Sequence, residues 1–122
     1  MILVDFSVWV DHFRSGDREL SDLLNAGQVL IHPFVIGELA CGNLKDRTIL
    51  LSLLHNLPCA TIAKAPEALC FIERHQLYGV GIGFVDVYLL ASTRLTAGAL
   101  LWTRDKRLHQ QAVRLNVAKV AV

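Results

Sequence analysis

Three carboxylates in this 122-residue chain stand in unusual company, and a fourth, Asp105, lies just beyond a second apolar run. Asp5 closes the apolar run Met1-Ile2-Leu3-Val4, and Glu38 lies inside Phe34-Val35-Ile36-Gly37-Glu38-Leu39-Ala40-Cys41. Asp86 is embedded in Phe84-Val85-Asp86-Val87-Tyr88-Leu89-Leu90, and Asp105 follows Leu100-Leu101-Trp102-Thr103-Arg104. By contrast Asp17, Glu19, Asp22, Asp46, Glu67 and Glu73 have ordinary polar neighbours. A buried ionised carboxylate is costly unless a charge or a set of hydrogen bonds compensates it. Basic residues are scarce near Asp5, Glu38 and Asp86 in sequence, so a bound cation is the natural compensation. Oxygen ligands without His or Cys select a hard ion such as Mg²⁺ or Mn²⁺. Carboxylates gathered in this way repel, which raises their pKa values when no ion is bound. The chemistry that suits such a site is in-line hydrolysis of a phosphodiester. Each strand-end acid also has a hydroxyl two residues away, Ser7 after Asp5 and Thr103 before Asp105, placed to orient a carboxylate.

These residues need a scaffold that brings them together. Met1 to Val4 reads as a strand buried on both faces, the pattern of a central strand in a parallel sheet. Ligands of open α/β sheets lie beyond the carboxyl ends of the strands, where Asp5 falls. Further strands are expected at residues 28–31, 59–62, 99–102 and 118–121. Helical patterns fall at 8–13, from the cap at Gly16 or Asp17 to Leu24, at 33–41, 46–55, 66–75, 84–96 and 105–115. Pro33 suits a first helical position, with His32 as its cap. Strand and helix alternate without a linker or repeat, so residues 1–122 read as a single α/β domain with a mostly parallel sheet. On this layout Asp5 and Asp105 end two neighbouring strands, and Glu38 and Asp86 enter from early turns of flanking helices.

Composition narrows the class. Hydrophobic residues make up 53% of the chain and the mean hydropathy is +0.43, yet no apolar run is long enough to span a bilayer. The surplus therefore points to a rich core and an apolar surface covered by a partner. Cys41, Cys59 and Cys70 form no CxxC pair and are expected as small buried residues of a reduced cytoplasmic protein. A net charge of +1 does not by itself argue for nucleic acid. Its distribution is more telling: Arg104, Lys106, Arg107, Arg114 and Lys119 gather in the last fifth of the chain, where Asp105 alone opposes them locally. Phosphate binding by Arg104, Lys106 and Arg107 is one reading, and a solvated helix face is the other. Gly79, Gly81 and Gly83 have neither P-loop nor dinucleotide-fold spacing, and read as a turn leading to Asp86.

Together, Asp5-Phe6-Ser7, His32-Pro33-Phe34-Val35-Ile36-Gly37-Glu38-Leu39-Ala40, Asp86 after the glycines, and Leu101-Trp102-Thr103-Arg104-Asp105-Lys106-Arg107-Leu108 resemble the PIN-domain ribonucleases. More narrowly, they resemble the VapC-type toxins of bacterial toxin–antitoxin pairs, over essentially the whole chain. The resemblance implies a three-layer α/β/α sandwich and Mg²⁺- or Mn²⁺-dependent cleavage of RNA. It also implies a homodimer, inhibition by a VapB-type antitoxin, and a metal site carried by Asp5, Glu38, Asp86 and Asp105 with Ser7 and Thr103 in support.

Plainer readings exist. Asp5 alone could cap the following helix, and Glu38 and Asp86 could be buried ion-paired acids. A non-catalytic PIN-like module binding RNA or protein around a structural ion is the alternative function. An aspartyl-phosphate domain also ends a strand on Asp, but this chain lacks the strand-end lysine such a domain uses. The complete set of four acids favours the enzyme.

Overall fold

Three short apolar segments, β1 (Ile2–Val4), β2 (Val29–Leu30) and β3 (Leu100–Trp102), form one sheet in the computed structural model, which describes residues 1–120. Leu3, Val4, Val29, Leu30 and Leu101 are buried, as strands covered on both faces must be. The strand order is β2-β1-β3 and both pairings are parallel. Leu3 stands opposite Leu30 on one side and Leu101 on the other, while Val4 faces Trp102. Single parallel bridges, Ile31 to Cys59 and Leu101 to Ala118, widen the sheet at its edges.

The strand expected at 59–62 is reduced to the Cys59 bridge. The amide of Thr61 donates to Thr96 Oγ1 and that of Ala63 to Ser92 Oγ, so hydroxyls of a neighbouring helix take donors that a ladder would use. The last expected strand is likewise a bridge at Ala118, and its Ala121 lies outside the described residues.

Seven helices surround the sheet among the described residues: α1 (Phe6–Ser15), α2 (Arg18–Asn25), α3 (Pro33–Ala40), α4 (Arg47–His55), α5 (Ala65–His75), α6 (Phe84–Leu95) and α7 (Lys106–Arg114). The first is longer than residues 8–13, starting directly after Asp5 and ending at Gly16 with φ +74°. That left-handed conformation suits glycine. Asp17 then caps α2, its Oδ1 accepting from the Leu20 amide at 2.9 Å. His32 caps α3, its Nδ1 accepting from the Phe34 amide at 3.0 Å, and burial lowers its pKa. The main core runs through Leu3, Val8, Leu20, Leu39, Leu89 and Leu108, with a smaller cluster of Ala68, Val87, Tyr88 and Ala91 joining α5 to α6. The result is a three-layer α/β/α sandwich. All three cysteines are free and exposed, against the expectation that they fill the core. Among the described residues no helix is long and apolar enough to cross a membrane.

Candidate active site

The register of β1 against β3 puts Asp5 beside Thr103. Asp5 donates its amide to the Trp102 carbonyl at 2.9 Å, the last rung before both strands end. The Asp5 side chain is buried, with 6% of the residue exposed. Its Oδ2 accepts from Ser7 Oγ at 2.9 Å and from Thr103 Oγ1 at 2.8 Å. Although Asp5 stands at the N-cap of α1, its carboxylate makes no capping bond. The hydroxyls of Ser7 and Thr103 hold it instead.

Both hydroxyls are themselves positioned. Ser7 Oγ accepts from the Arg104 amide at 3.0 Å, and Thr103 Oγ1 accepts from the Asp105 amide at 3.1 Å. Asp105 caps α7, its Oδ1 accepting from the Leu108 amide at 3.0 Å, and the residue is exposed. Asp86 occupies the first turn of α6, where its Oδ2 accepts from the Gly83 amide at 3.2 Å. Glu38 is in the second half of α3 rather than an early turn, because Pro33 sets the start of a helix only eight residues long.

Electrostatics tie the four acids together. The Glu38 carboxyl is pushed above its ordinary range by burial, then by the charges of Asp5 and Asp86. Burial also raises the Asp86 pKa. The Gly83 hydrogen bond opposes that rise, and the charges of Asp5 and Asp105 reinforce it. This is the signature of like charges brought near one another in partly desolvated surroundings.

Among the described residues, no three Asp, Glu, His or Cys side chains stand converged as a ready-made cage for a metal ion. The donor set nevertheless fits a hard cation. Asp5, Asp86 and Asp105 each have one carboxylate oxygen held by a protein donor and the other without one, and Glu38 has no hydrogen-bond donor among the described residues.

The basic residues are placed less uniformly than their clustering in sequence implies. Arg104 forms ion pairs with both Asp11 and Asp17, and Lys119 pairs with Glu19 while its ammonium lies 4.5 Å from the Trp102 ring centroid. Acids far away in sequence thus oppose two of the cations that had only Asp105 nearby. Lys106 and Arg107 make no ion pair among the described residues and are exposed. Arg107 lies across Gly81, whose φ is +83°; a Cβ there would sit 2.5 Å from the Arg107 Cδ. Asp11 had no signal as a partner of Arg104, since nothing in a linear reading connects residues 93 apart.

The α/β/α sandwich on a parallel sheet is the fold expected of a PIN domain. The PIN-domain family matches residues 2–114, and the chain belongs to it. Among individual proteins, this sequence is 46% identical over 118 residues to Ribonuclease VapC32 of Mycobacterium tuberculosis, in strains CDC 1551 and H37Rv. The match covers 97% of this chain and 95% of that relative. Among solved structures, FitAB bound to an IR36 DNA fragment aligns with a TM-score of 0.59, over 97% of this chain and 92% of that one. At 18% identity, that likeness speaks for the fold alone.

Proposed function

We propose that this PIN domain is the toxin of a VapBC-type pair, an endoribonuclease that hydrolyses RNA phosphodiester bonds and is inhibited by a VapB-type antitoxin. The observation that carries the reading is the shared field of Asp5, Glu38, Asp86 and Asp105 at the sheet edge, in a chain so similar to a named ribonuclease. Similarity to a named ribonuclease over nearly the whole chain favours this reading over a non-catalytic PIN-like module that binds RNA or protein around a structural ion.

The same four acids are proposed to hold Mg²⁺ or Mn²⁺. What such an ion supplies when bound is acidification of water and neutralisation of charge developing on the scissile phosphate. The chain supplies the frame. Ser7 and Thr103 direct Asp5, the Gly83 amide fixes the rotamer of Asp86, and the Leu108 amide fixes that of Asp105. Lys106 and Arg107 are the proposed contacts to the RNA backbone, which positions substrate without reading sequence. The site of action is proposed as the cytoplasm, with which three unpaired cysteines agree.

Exposed Ile49, Leu53, Leu69 and Leu95 fit the proposal that apolar surface is covered in a homodimer and by antitoxin. Light scattering should give a dimer, and a well-behaved monomer would count against it. For catalysis, purified protein with Mg²⁺ or Mn²⁺ should cut at least one of a panel of structured RNAs. No cleavage above an Asp5→Ala control on any of them would sink the reading.

A further inference from the structure

We infer that Arg104 serves the site from behind, as a positioning residue that fixes Asp5 and Asp105, rather than as a ligand for RNA phosphate. The inference rests on the nuclease reading above.

Arg104 lies between Thr103 and Asp105, so the path of its backbone governs both neighbours. Its amide donates to Ser7 Oγ at 3.0 Å, and Ser7 in turn donates to Asp5 Oδ2. Thr103 donates to the same Asp5 oxygen and receives the Asp105 amide. Three consecutive residues are therefore connected to Asp5 through two hydroxyls. These residues have left the β3 ladder and have not yet entered α7, so regular secondary structure does not hold them.

The side chain supplies the missing anchor. Nη1 of Arg104 donates to Asp11 Oδ2 and Nη2 donates to Asp17 Oδ2. A planar guanidinium offers its donors in a fixed fork, so two carboxylates define its orientation as one cannot. Asp17 is itself immobilised by the Leu20 amide, and Asp11 sits on α1, the helix that carries Ser7. The contacts close a ring: Ser7 through α1 to Asp11, across the guanidinium, and back from the Arg104 amide to Ser7.

A phosphate-binding arginine needs an available guanidinium and a positive surrounding field. Here two carboxylates occupy the fork, and the trio carries a net negative charge. The side chain of Arg104 is 38% exposed and that of Asp11 is 40% exposed. Pairs this exposed contribute little to global stability. What the clamp fixes is the direction in which the Asp5 and Asp105 carboxylates face.

The test compares wild type with Arg104→Ala, the double variant Asp11→Asn with Asp17→Asn, the triple combination, and Lys106→Ala. An asparagine at 17 still offers an oxygen to the Leu20 amide, so the double variant carries the test if Arg104→Ala folds poorly. On an RNA that wild type cuts, Arg104→Ala should lower kcat about ten- to a hundredfold with KM unchanged, the cost of a small misplacement. The double variant should do the same, and the triple variant no more than either. Binding of a fluorescein-labelled mixed-sequence RNA oligonucleotide in EDTA, followed by anisotropy across salt, should show the same slope for Arg104→Ala as for wild type. Lys106→Ala should lose about one unit of slope. The backbone amide of residue 104 should exchange faster in both clamp variants. Arg104 would be reassigned to phosphate, and the clamp overturned, by a shallower slope in Arg104→Ala together with a binding gain in the double variant that vanishes in the triple. If wild type cuts no RNA the nuclease reading fails, and slope and amide exchange still decide the clamp.

Discussion

Asp5, Glu38, Asp86 and Asp105 bring four carboxylates toward one sheet edge without an ion pair among the described residues, whereas Asp11 and Asp17 share the guanidinium of Arg104 nearby. The first group is raised in pKa where the shift is resolved, at Glu38 and Asp86; in the second, Asp17 is lowered, chiefly by the Leu20 amide and then by Arg104. Acids of one chemical type thus serve opposite ends. One set has no protein cation and is the proposed ligand site, and the other is paired internally with Arg104. Pairing to a protein cation, rather than the presence of acids, separates scaffold from site.

The same side-chain change in each group is the severest way to break that comparison. Asp86→Asn should cut the initial rate of RNA cleavage roughly a thousandfold, as losses at groups acting as a unit do. Asp11→Asn alone leaves Arg104 its second partner and should cost about tenfold at most. Comparable losses would erase the distinction.

Acid titration sharpens it through opposite signs. Glu38 and Asp86, with raised folded-state pKa values, favour folding fully below their unfolded pKa values, and that contribution is lost as pH rises through the folded ones. Glu38→Gln with Asp86→Asn should therefore melt about 3 °C above wild type in EDTA at neutral pH, the gap closing toward pH 4. Saturating Mg²⁺ or Mn²⁺ should raise wild type by about 2–3 kcal/mol at a hundredfold excess over Kd, and leave the double variant nearly unmoved. Asp17, with a lowered pKa, contributes stability above its unfolded value that is lost as pH falls through the folded one. Asp17→Asn should accordingly cost less than about 1 kcal/mol at neutral pH and nothing in acid, the smallest effect of the series. Chemical denaturation across pH reads both, and slopes of equal sign would refute the contrast.

How much of this was legible depends on whether a signal was local. Asp5 and Asp105 were readable as strand-end acids, because uninterrupted apolar runs mark buried strands and a polar residue marks their end. Ser7 and Thr103 followed from their distance of two residues. His32 and Asp17 were readable as caps, since capping is decided within three residues. What escaped was non-local. Arg104 looked like one cation in a basic run until the fold set Asp11 and Asp17 against it, from 93 and 87 residues away. The segment after Pro58 had the composition of a strand, but Ser92 and Thr96 took its amides. The cysteines were read as core from residue type, a preference with no information about where the fold puts each one: Cys41 at the C-cap of α3, Cys59 at an edge bridge and Cys70 on an exposed position of α5.

The order in which β1 and β3 are made has a consequence for the cell that produces this protein. The middle strand of the sheet is translated first, and its partner, with Thr103 and Asp105, follows almost a hundred residues later; the Thr103–Asp5 hydrogen bond spans 98 positions. A nascent chain still lacking β3 holds three of the four acids and lacks Thr103, one of the two hydroxyls that hold Asp5 Oδ2. On the proposed four-acid site, chains truncated before residue 100 are expected to cut no RNA, and chains that include residues 100–105 to cut it.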